Sequence, residues 1–358
     1  MEKNNNENDN KNIFKFDLIS KINNISQIKK ALELSHDTIG ILNEIRYDVC
    51  LFLIYSSKNF TKVKHFDCCF KDAVKTEDDN LVLCDNHYIY LYKLINNEYV
   101  LLQKIECFAE EKKVYDFYWN EDDIIPNDSI KFIFPLKNNN LIVCSHNEMK
   151  IYKNEKEQYS YSKTIDTKYY IKEIIEIKPN IIVVYLTKRL GSGCVIRGFN
   201  HYISIYNLHN DENKILGQNK SYIRGDDRNK TKNLIIIDKY LIARYGDNLD
   251  IYDIEDNMKL INENDYEIKE TTFGEVKKKL KYQIPFIFFK MVLKNNFILA
   301  INNGNRKSFI YKYEDKSFKE YEEFPFDLYN VGIFKLKNDK LLLYFDNQIK
   351  IINVFYLK

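Results

Sequence analysis

Residues 80–94 read NLVLCDNHYIYLYKL, and residues 140–154 read NLIVCSHNEMKIYKN. Each stretch begins with a nearly continuous apolar run, passes through a polar turn and ends in a segment that alternates apolar and polar residues. A continuous apolar run predicts a strand buried on both faces, and an alternating run predicts a strand buried on one face. Each stretch therefore predicts a β-hairpin whose first strand is the more deeply buried.

The hairpin pattern recurs along the chain. Copies begin at residues 80, 140, 180, 240, 296 and 340, and the second strand ends in an aliphatic residue followed by Tyr or an equivalent pair. A further apolar strand often precedes the hairpin, and a more polar strand often follows it. Units of four strands that start about 40 to 60 residues apart are typical of the blades of a β-propeller.

A less regular unit over residues 25–67, with the segments IGILNE and DVCLFLIY, brings the number of units to seven. The last unit contains three strands, whereas the segment IFKFDLIS from Ile13 belongs to no unit. Pairing this segment with the last unit removes an exposed sheet edge. We therefore predict an all-β fold: a single seven-bladed β-propeller domain of four-stranded antiparallel blades over residues 12–358, closed by the N-terminal strand. We expect residues 1–11 to be a disordered polar N-terminus.

The hairpins resemble the second and third strands of WD40 repeats, with Tyr where that family usually carries the Trp of its Trp-Asp ending. Residues 251–253, IYD, also keep the Asp. The resemblance spans nearly the whole chain. It implies a divergent WD40-like propeller that serves as a non-enzymatic protein-interaction scaffold without a cofactor.

Composition narrows the classes of partner. The chain has 54 Lys and Arg against 52 Asp and Glu, a net charge of +2, which argues against nucleic acid as a partner. It has no apolar run of the roughly 18 to 20 residues that cross a bilayer, and its first residues are polar where a signal peptide is apolar. Its seven cysteines lack the spacing of a disulfide scaffold. We expect a cytoplasmic protein that binds other proteins, and its oligomeric state stays open.

Four long insertions fall in connections that our strand assignment brings to one end of the ring. They cover residues 106–129, 188–200, 223–231 and 267–284. Long connections on a rigid scaffold often carry function, although neutral drift is an alternative. The first insertion is acidic and the other three are basic, which would orient a partner of mixed charge. Balanced solvated charges are the other interpretation.

Five residues of these insertions are predicted to contact a partner. They are Tyr118, Trp119, Arg197, Arg224 and Lys278. The segment VYDFYW supplies the two aromatic residues, and exposed aromatic residues of this kind form binding hot spots. The alternative is that these rings pack on the blade wall as a local core.

Two other functions stay open. The stretch YIRGDDR, residues 222–228, resembles the Phe-Arg-Arg-Gly motif of phosphoinositide-binding propellers, but Ile223 stands where an Arg is expected. A propeller enzyme would require carboxylates with strongly shifted pKa values in the central channel. The chain carries no recognised catalytic motif.

One group of residues has the spacing of a zinc site. It comprises His65, Cys68, Cys69, Cys84 and His87. By alignment of the repeats, Cys84 takes the position of Cys144, Ala243 and Ala300. A position that accepts Cys and Ala indicates a small buried residue, so we predict no metal site.

Overall fold

The computed structural model describes most of the chain as β-strands joined by turns, and it contains no helix within the described residues. The described residues are 14–23, 28–35, 38–46, 49–56, 61–66, 68–109, 129–190, 198–221, 232–245, 248–256, 258–260, 266–270, 276–280, 287–294, 296–302, 305–315, 317–329, 331–336, 340–345 and 348–356. The expected disordered segment, residues 1–11, lies outside them.

The described strands form seven four-stranded antiparallel sheets, the blades, and one two-stranded sheet. In chain order they are β1 (Phe14–Asn23); in blade 1, β2 (Ile28–Ser35), β3 (Thr38–Arg46), β4 (Val49–Ser56) and β5 (Lys62–His65); in blade 2, β6 (Asp72–Lys75), β7 (Leu81–Cys84), β8 (Tyr88–Ile95) and β9 (Glu98–Glu106); in blade 3, β10 (Phe132–Pro135), β11 (Leu141–Cys144), β12 (Glu148–Glu155) and β13 (Gln158–Asp166); in blade 4, β14 (Tyr170–Lys178), β15 (Ile181–Leu190), β16 (Gly198–Asn207) and β17 (Asn213–Ser221); in blade 5, β18 (Leu234–Ile237), β19 (Tyr240–Tyr245), β20 (Asn248–Asp253) and β21 (Lys259–Leu260); in the two-stranded sheet, β22 (Tyr266–Glu270) and β23 (Val276–Leu280); in blade 6, β24 (Ile287–Val292), β25 (Phe297–Asn302), β26 (Ser308–Glu314) and β27 (Ser317–Glu323); and in blade 7, β28 (Gly332–Lys335), β29 (Lys340–Phe345) and β30 (Gln348–Tyr356).

The ring closes through the two ends of the described chain. The sheet order in blade 7 is β28, β29, β30, β1, so the N-terminal strand is its outer strand. β1 pairs antiparallel with β30 from Phe14 opposite Tyr356 to Asn23 opposite Gln348. The predicted closure and the predicted seven-bladed propeller are both confirmed.

Burial follows the predicted difference between the strands of each hairpin. All four residues of β7 and of β11 are buried, as expected for strands covered on both faces. In β12, Met149 and Ile151 are buried, whereas Lys150 between them is partly exposed. The first strands of neighbouring blades, such as β2, β6 and β10, contact one another and form the inner wall of the ring.

The hydrophobic core is divided among the blade interfaces. Each of seven clusters in the described residues joins two neighbouring blades. One example is the cluster of Ile142, Val184 and Leu186 between blades 3 and 4, and another joins Ile39 to Leu342 between blades 1 and 7. Burying such an aliphatic side chain contributes roughly 1.5–3 kcal/mol. Blade packing therefore stabilises the ring as one continuous structure.

The Asp that matches the WD40 ending has a local structural role. Asp253 Oδ1 accepts the main-chain N–H groups of Glu255 at 2.9 Å and Asp256 at 3.1 Å, and its Oδ2 lies 3.1 Å from Lys239 Nζ. This carboxylate therefore fixes the turn between the third and fourth strands of blade 5.

The strand register corrects our alignment of the repeats. Leu81 pairs with Tyr92, Leu241 with Tyr252 and Ile298 with Tyr311. Counted from these pairs, the residues at the Cys84 position are Cys144, Arg244 and Ile301. Ala243 and Ala300 lie one residue earlier, so their place beside Cys84 in our alignment was wrong.

Candidate functional site

The strand order brings the four insertions to one end of the ring. In an antiparallel blade, the connection between the second and third strands and the connection to the next blade leave from the same end. The insertions join β9 to β10, β15 to β16, β17 to β18 and β21 to β24. All four are connections of these two kinds. The strand ends that flank the four insertions therefore lie at one end of the ring, as predicted, and we call it the loop-bearing end.

The opposite end has tight turns between the first and second strands of the blades whose turn residues the structure describes. The segment LKNNNL at residues 136–141 joins β10 to β11, with Asn139 at φ 64°. Asp79, Asn180 and Asn296 have positive φ in the corresponding turns of blades 2, 4 and 6. Asp and Asn tolerate this conformation better than other residues with side chains. The two ends of the ring therefore differ in the way the sequence predicts.

The first insertion leaves and rejoins the blades at a single turn. The main-chain carbonyl of His87 accepts the N–H of Cys107 at 2.7 Å, and the carbonyl of Asn86 accepts the N–H of Ile130 at 2.7 Å. Lys150 of blade 3 also donates a 2.7 Å hydrogen bond to the Cys107 carbonyl. The residues on both sides of the insertion are therefore held in place by the blades.

The corresponding turn between blades 3 and 4 has the same two anchors without an insertion. Asn147 O accepts the N–H of Thr167 at 2.8 Å, and His146 O accepts the N–H of Ile171 at 2.6 Å. Three residues separate these anchored N–H groups here, against twenty-two in the first insertion. The short connection places the Tyr170 ring edge-on to the His146 ring, with centroids 5.6 Å apart.

The charges of lysines from three consecutive blades act on this histidine. Burial lowers the pKa of His146 to about 4. The charges of Lys131, Lys172 and Lys71 lower this pKa in the same direction. His146 is therefore neutral at pH 7 and lies in a positive field. We call Lys71, Lys131, His146, Tyr170 and Lys172 the basic rim.

Aromatic residues of blade 4 extend the basic rim outward. The rings of Tyr169 and Tyr202 are stacked, with centroids 4.3 Å apart, and Lys188 Nζ lies 6.0 Å from the Tyr169 ring. Tyr185 Oη and His201 Nδ1 share a 2.6 Å hydrogen bond. Burial, followed by the charge of Lys172, lowers the pKa of His201 to about 4. This arrangement of cationic and aromatic groups suits an acidic, partly apolar ligand.

The predicted contact residues are not brought together by the described part of the structure. Tyr118, Trp119, Arg197 and Arg224 lie outside the described residues, as does all of the YIRGDDR stretch. Lys278 lies in β23, of which only the backbone is described. The prediction of a long loop was wrong for part of its length in two insertions. In residues 188–200, β15 continues to Leu190 and β16 begins at Gly198, so both ends of this segment are paired strands. In residues 267–284, β22 and β23 form a hairpin beside β20 of blade 5.

The sequence analysis missed the basic rim. Lys71 and Lys131 each directly precede an inner strand, and their N–H groups bond to the equivalent carbonyls of Cys84 and Cys144. A recurring Lys before the inner strands was the available signal. It was overlooked because the functional search concentrated on the insertions.

Carboxylates of the inner strands bind main-chain groups of the next blade. Asp72 Oδ2 accepts the N–H of Ile133 at 2.9 Å, and Glu173 Oε2 accepts the N–H of Asn233 at 2.8 Å. Burial raises the pKa of Glu173, whereas Lys232 lowers it. Because both carboxylates bond to the scaffold and lie two blades apart, their geometry indicates a role in joining blades.

The residues with zinc-like spacing differ in exposure. Cys84 is fully buried in the cluster between blades 2 and 3, whereas Cys68 and Cys69 are exposed. Burial also raises the pKa of the Cys84 thiol. Within the described ranges, no three His, Cys, Asp or Glu side chains form a group suited to a metal ion. Cys84 therefore serves the packing of the blades.

No described helix has the length and apolar character needed to cross a membrane. No protein-family model matches the chain, and no curated protein sequence matches it.

Solved structures share its fold. The WD40 β-propeller domain of Doa1 is similar with a TM-score of 0.55 at 11% identity, over 94% of this chain and 97% of that chain. The WD40 domain of Toxoplasma gondii coronin gives 0.56 at 8% identity, over 96% and 87%. BBS1N, in its crystal structure with ARL6DN, gives 0.52 at 11% identity, over 94% and 96%. These similarities establish a WD40-like propeller fold.

Proposed function

We propose that this divergent WD40-like propeller is a non-enzymatic scaffold, located in the cytoplasm, that holds an acidic segment of a protein partner at its basic rim. The observation that carries the proposal is that the charges of Lys71, Lys131 and Lys172, from three consecutive blades, all act on His146 at the loop-bearing end. A segment with carboxylate or other anionic groups complements this field. The neighbouring rings of Tyr169 and Tyr170 supply apolar contact area.

The insertions contribute to the same surface in this proposal. Tyr118, Trp119, Arg197, Arg224 and Lys278 belong to segments whose flanking strands end at the loop-bearing end. Replacing Trp119 and Arg197 together is expected to weaken partner capture without changing thermal stability. Among the similar propellers, BBS1N was crystallised in complex with ARL6DN, which is consistent with a binding role for such a scaffold.

The test uses a short fluorescent oligoglutamate and two variants of equal net charge. We expect Lys131→Glu with Lys172→Glu to weaken binding at least about tenfold, since each lost charge pair at a partly desolvated site contributes about 1 kcal/mol. The matched control is Lys137→Glu with Lys178→Glu, which changes exposed lysines at the opposite end.

Equal effects of the two double variants would refute the basic rim as the binding surface. Flotation with phosphoinositide vesicles tests the membrane alternative: recovery of the wild-type chain on vesicles, lost in Lys131→Glu with Lys172→Glu, would assign the surface to lipid headgroups instead of a protein.

A further inference from the structure

Two neighbouring cysteines face solvent in the connection between blades 1 and 2. Of the six cysteines in the described part of the chain, Cys68 and Cys69 are exposed, and the other four are buried. Reactive cysteines are accessible to solvent, whereas cysteines buried in apolar packing are inert. Within the described residues, thiol chemistry is therefore expected at this pair.

Buried phenylalanines fix the chain on both sides of the pair. Phe66 and Phe70 are buried, and their N–H groups donate hydrogen bonds to carbonyls of β4, at 3.1 Å to Phe52 and 2.8 Å to Cys50. The ring of Phe66 also packs against the ring of Phe52, with centroids 5.7 Å apart. Both flanks are fixed to blade 1, so the scaffold itself holds the two thiols at the surface.

The pair lies at the loop-bearing end, beside the basic rim. It belongs to the connection from β5 to β6, which leads to the next blade and therefore lies at that end. Lys71 of the basic rim follows Cys69 by two residues, so their Cα atoms are at most about 7 Å apart. Burial raises the pKa of Tyr90, a hydrogen bond to Asp85 raises it further, and the charge of Cys68 acts in the same direction. A group attached to these thiols is therefore within reach of the Lys71 charge.

Backbone geometry disfavours a disulfide between the two cysteines themselves. Cys68 and Cys69 are joined by a trans peptide bond. Such a bond holds neighbouring Cα atoms about 3.8 Å apart, whereas an unstrained disulfide spans about 4.4–6.8 Å between Cα atoms. A disulfide within the pair would be strained and easily reduced. Reaction of each thiol with an external disulfide avoids this strain.

We propose that Cys68 and Cys69 are a modification site, at which each thiol forms a mixed disulfide with an anionic low-molecular-weight thiol of the glutathione type. The cysteine thiolate attacks one sulfur of glutathione disulfide, and the new sulfur–sulfur bond forms as the old one breaks. The second glutathione leaves as a thiolate that takes up the proton lost by the cysteine. The cysteine is oxidised, glutathione disulfide is reduced, and excess thiol reverses the step.

The modification also regulates the basic rim, a consequence that rests on the function proposed above. A glutathionyl group carries two carboxylates and one ammonium group, so it adds net negative charge near Lys71. This charge competes with an acidic partner segment for the same lysine. Modification of both cysteines is expected to weaken oligoglutamate binding about fivefold, as befits exposed charges.

Mass spectrometry of the whole chain, incubated with glutathione disulfide, tests the modification site. Two glutathionyl groups are expected on the peptide that contains Cys68 and Cys69, and dithiothreitol should remove them. The matched control is Cys68→Ser with Cys69→Ser, which reports any reaction of Cys194, a residue outside the described part of the chain. Absence of glutathionyl groups from both residues would overturn the proposal. Loss of two hydrogens without an added group would also overturn it, because that mass indicates a disulfide within the pair.

A second reagent separates the effect of charge from the effect of bulk. Cystamine attaches a cationic group to the same thiols. The glutathionylated chain should bind fluorescent oligoglutamate about fivefold more weakly than the reduced chain, and the cystamine-treated chain should bind no more weakly than the reduced chain. Equal weakening by both reagents, or none by glutathione, would refute the regulatory effect. A reduced chain that does not bind oligoglutamate would instead refute the basic rim as a binding surface, and the mass measurement would still decide the modification site.

Discussion

Lys30 and Asp72 form an ion pair between neighbouring inner strands, with Lys30 Nζ 2.8 Å from Asp72 Oδ1. The same oxygen accepts the N–H of Ala73 at 2.8 Å, and the other oxygen accepts the N–H of Ile133 at 2.9 Å. The Asp72 side chain is only 9% exposed. One carboxylate of blade 2 therefore joins the inner strands of blades 1, 2 and 3.

Asp72→Asn is expected to destabilise the ring. The amide loses the charge that pairs with Lys30 and keeps one acceptor oxygen where the carboxylate has two, so a buried N–H loses its partner. We expect the free energy of unfolding to fall by about 1–3 kcal/mol in urea titrations. The control is Asp79→Asn, which removes an exposed ion pair with Lys75. A loss no larger than that of the control would contradict the role of Asp72.

His146 of the basic rim and His201 of blade 4 are expected to make stability depend on pH. The pKa values of His146 and His201 are lowered to about 4, whereas an unfolded histidine titrates near pH 6.5. As the pH falls below 6.5, the unfolded chain binds protons before the folded chain does, so stability is lost on acidification toward pH 4. For the buried His201, the loss between pH 7 and pH 5 is on the order of 1 kcal/mol.

His201→Gln should reduce this pH dependence, measured as the free energy of unfolding at pH 7 and pH 5. Hydrogen bonds from Lys312 and Lys319 lower the pKa of the Glu314 carboxyl to about 2. The stability that such carboxylates contribute is therefore lost below the interval from pH 7 to pH 5. Identical pH dependence in the wild-type chain and in His201→Gln would refute the prediction.

Removal of residues 1–23 is expected to open the ring. The deletion takes away β1 and exposes the edge of β30, which carries the buried residues Ile349, Ile351 and Ile352. We expect the melting temperature to fall by at least about 5 °C, or the protein to aggregate through the new edge. Removal of residues 1–11 alone is the control and should leave the melting temperature unchanged. Similar melting of the two truncated chains would show that β1 does not hold the ring closed.

The fold could be predicted from the sequence because each blade is marked by a pattern of neighbouring residues. A buried strand such as β7, a polar turn and an alternating strand such as β8 recur in the chain, and that recurrence gave the blades and their number. The closure by β1 followed from the missing fourth strand of blade 7. Our alignment of Ala243 and Ala300 was wrong because the sequence alone does not show which residue pairs with Tyr252 or Tyr311 across the hairpin.

The basic rim could not be predicted from the sequence in the same way. Lys71, Lys131 and Lys172 lie far apart in the chain, and their charges act together on His146 only because inner strands of neighbouring blades lie side by side.

Quantitative co-purification from cells tests the central claim most directly, with the wild-type chain, Lys131→Glu with Lys172→Glu, and the matched Lys137→Glu with Lys178→Glu compared side by side. If protein partners bind at the loop-bearing end, the proteins that co-purify with the wild-type chain are lost from the first variant, Lys131→Glu with Lys172→Glu. The same proteins still co-purify with the second variant, Lys137→Glu with Lys178→Glu. Persistence of the same partners in the first variant, or their loss only in the second, would contradict the account.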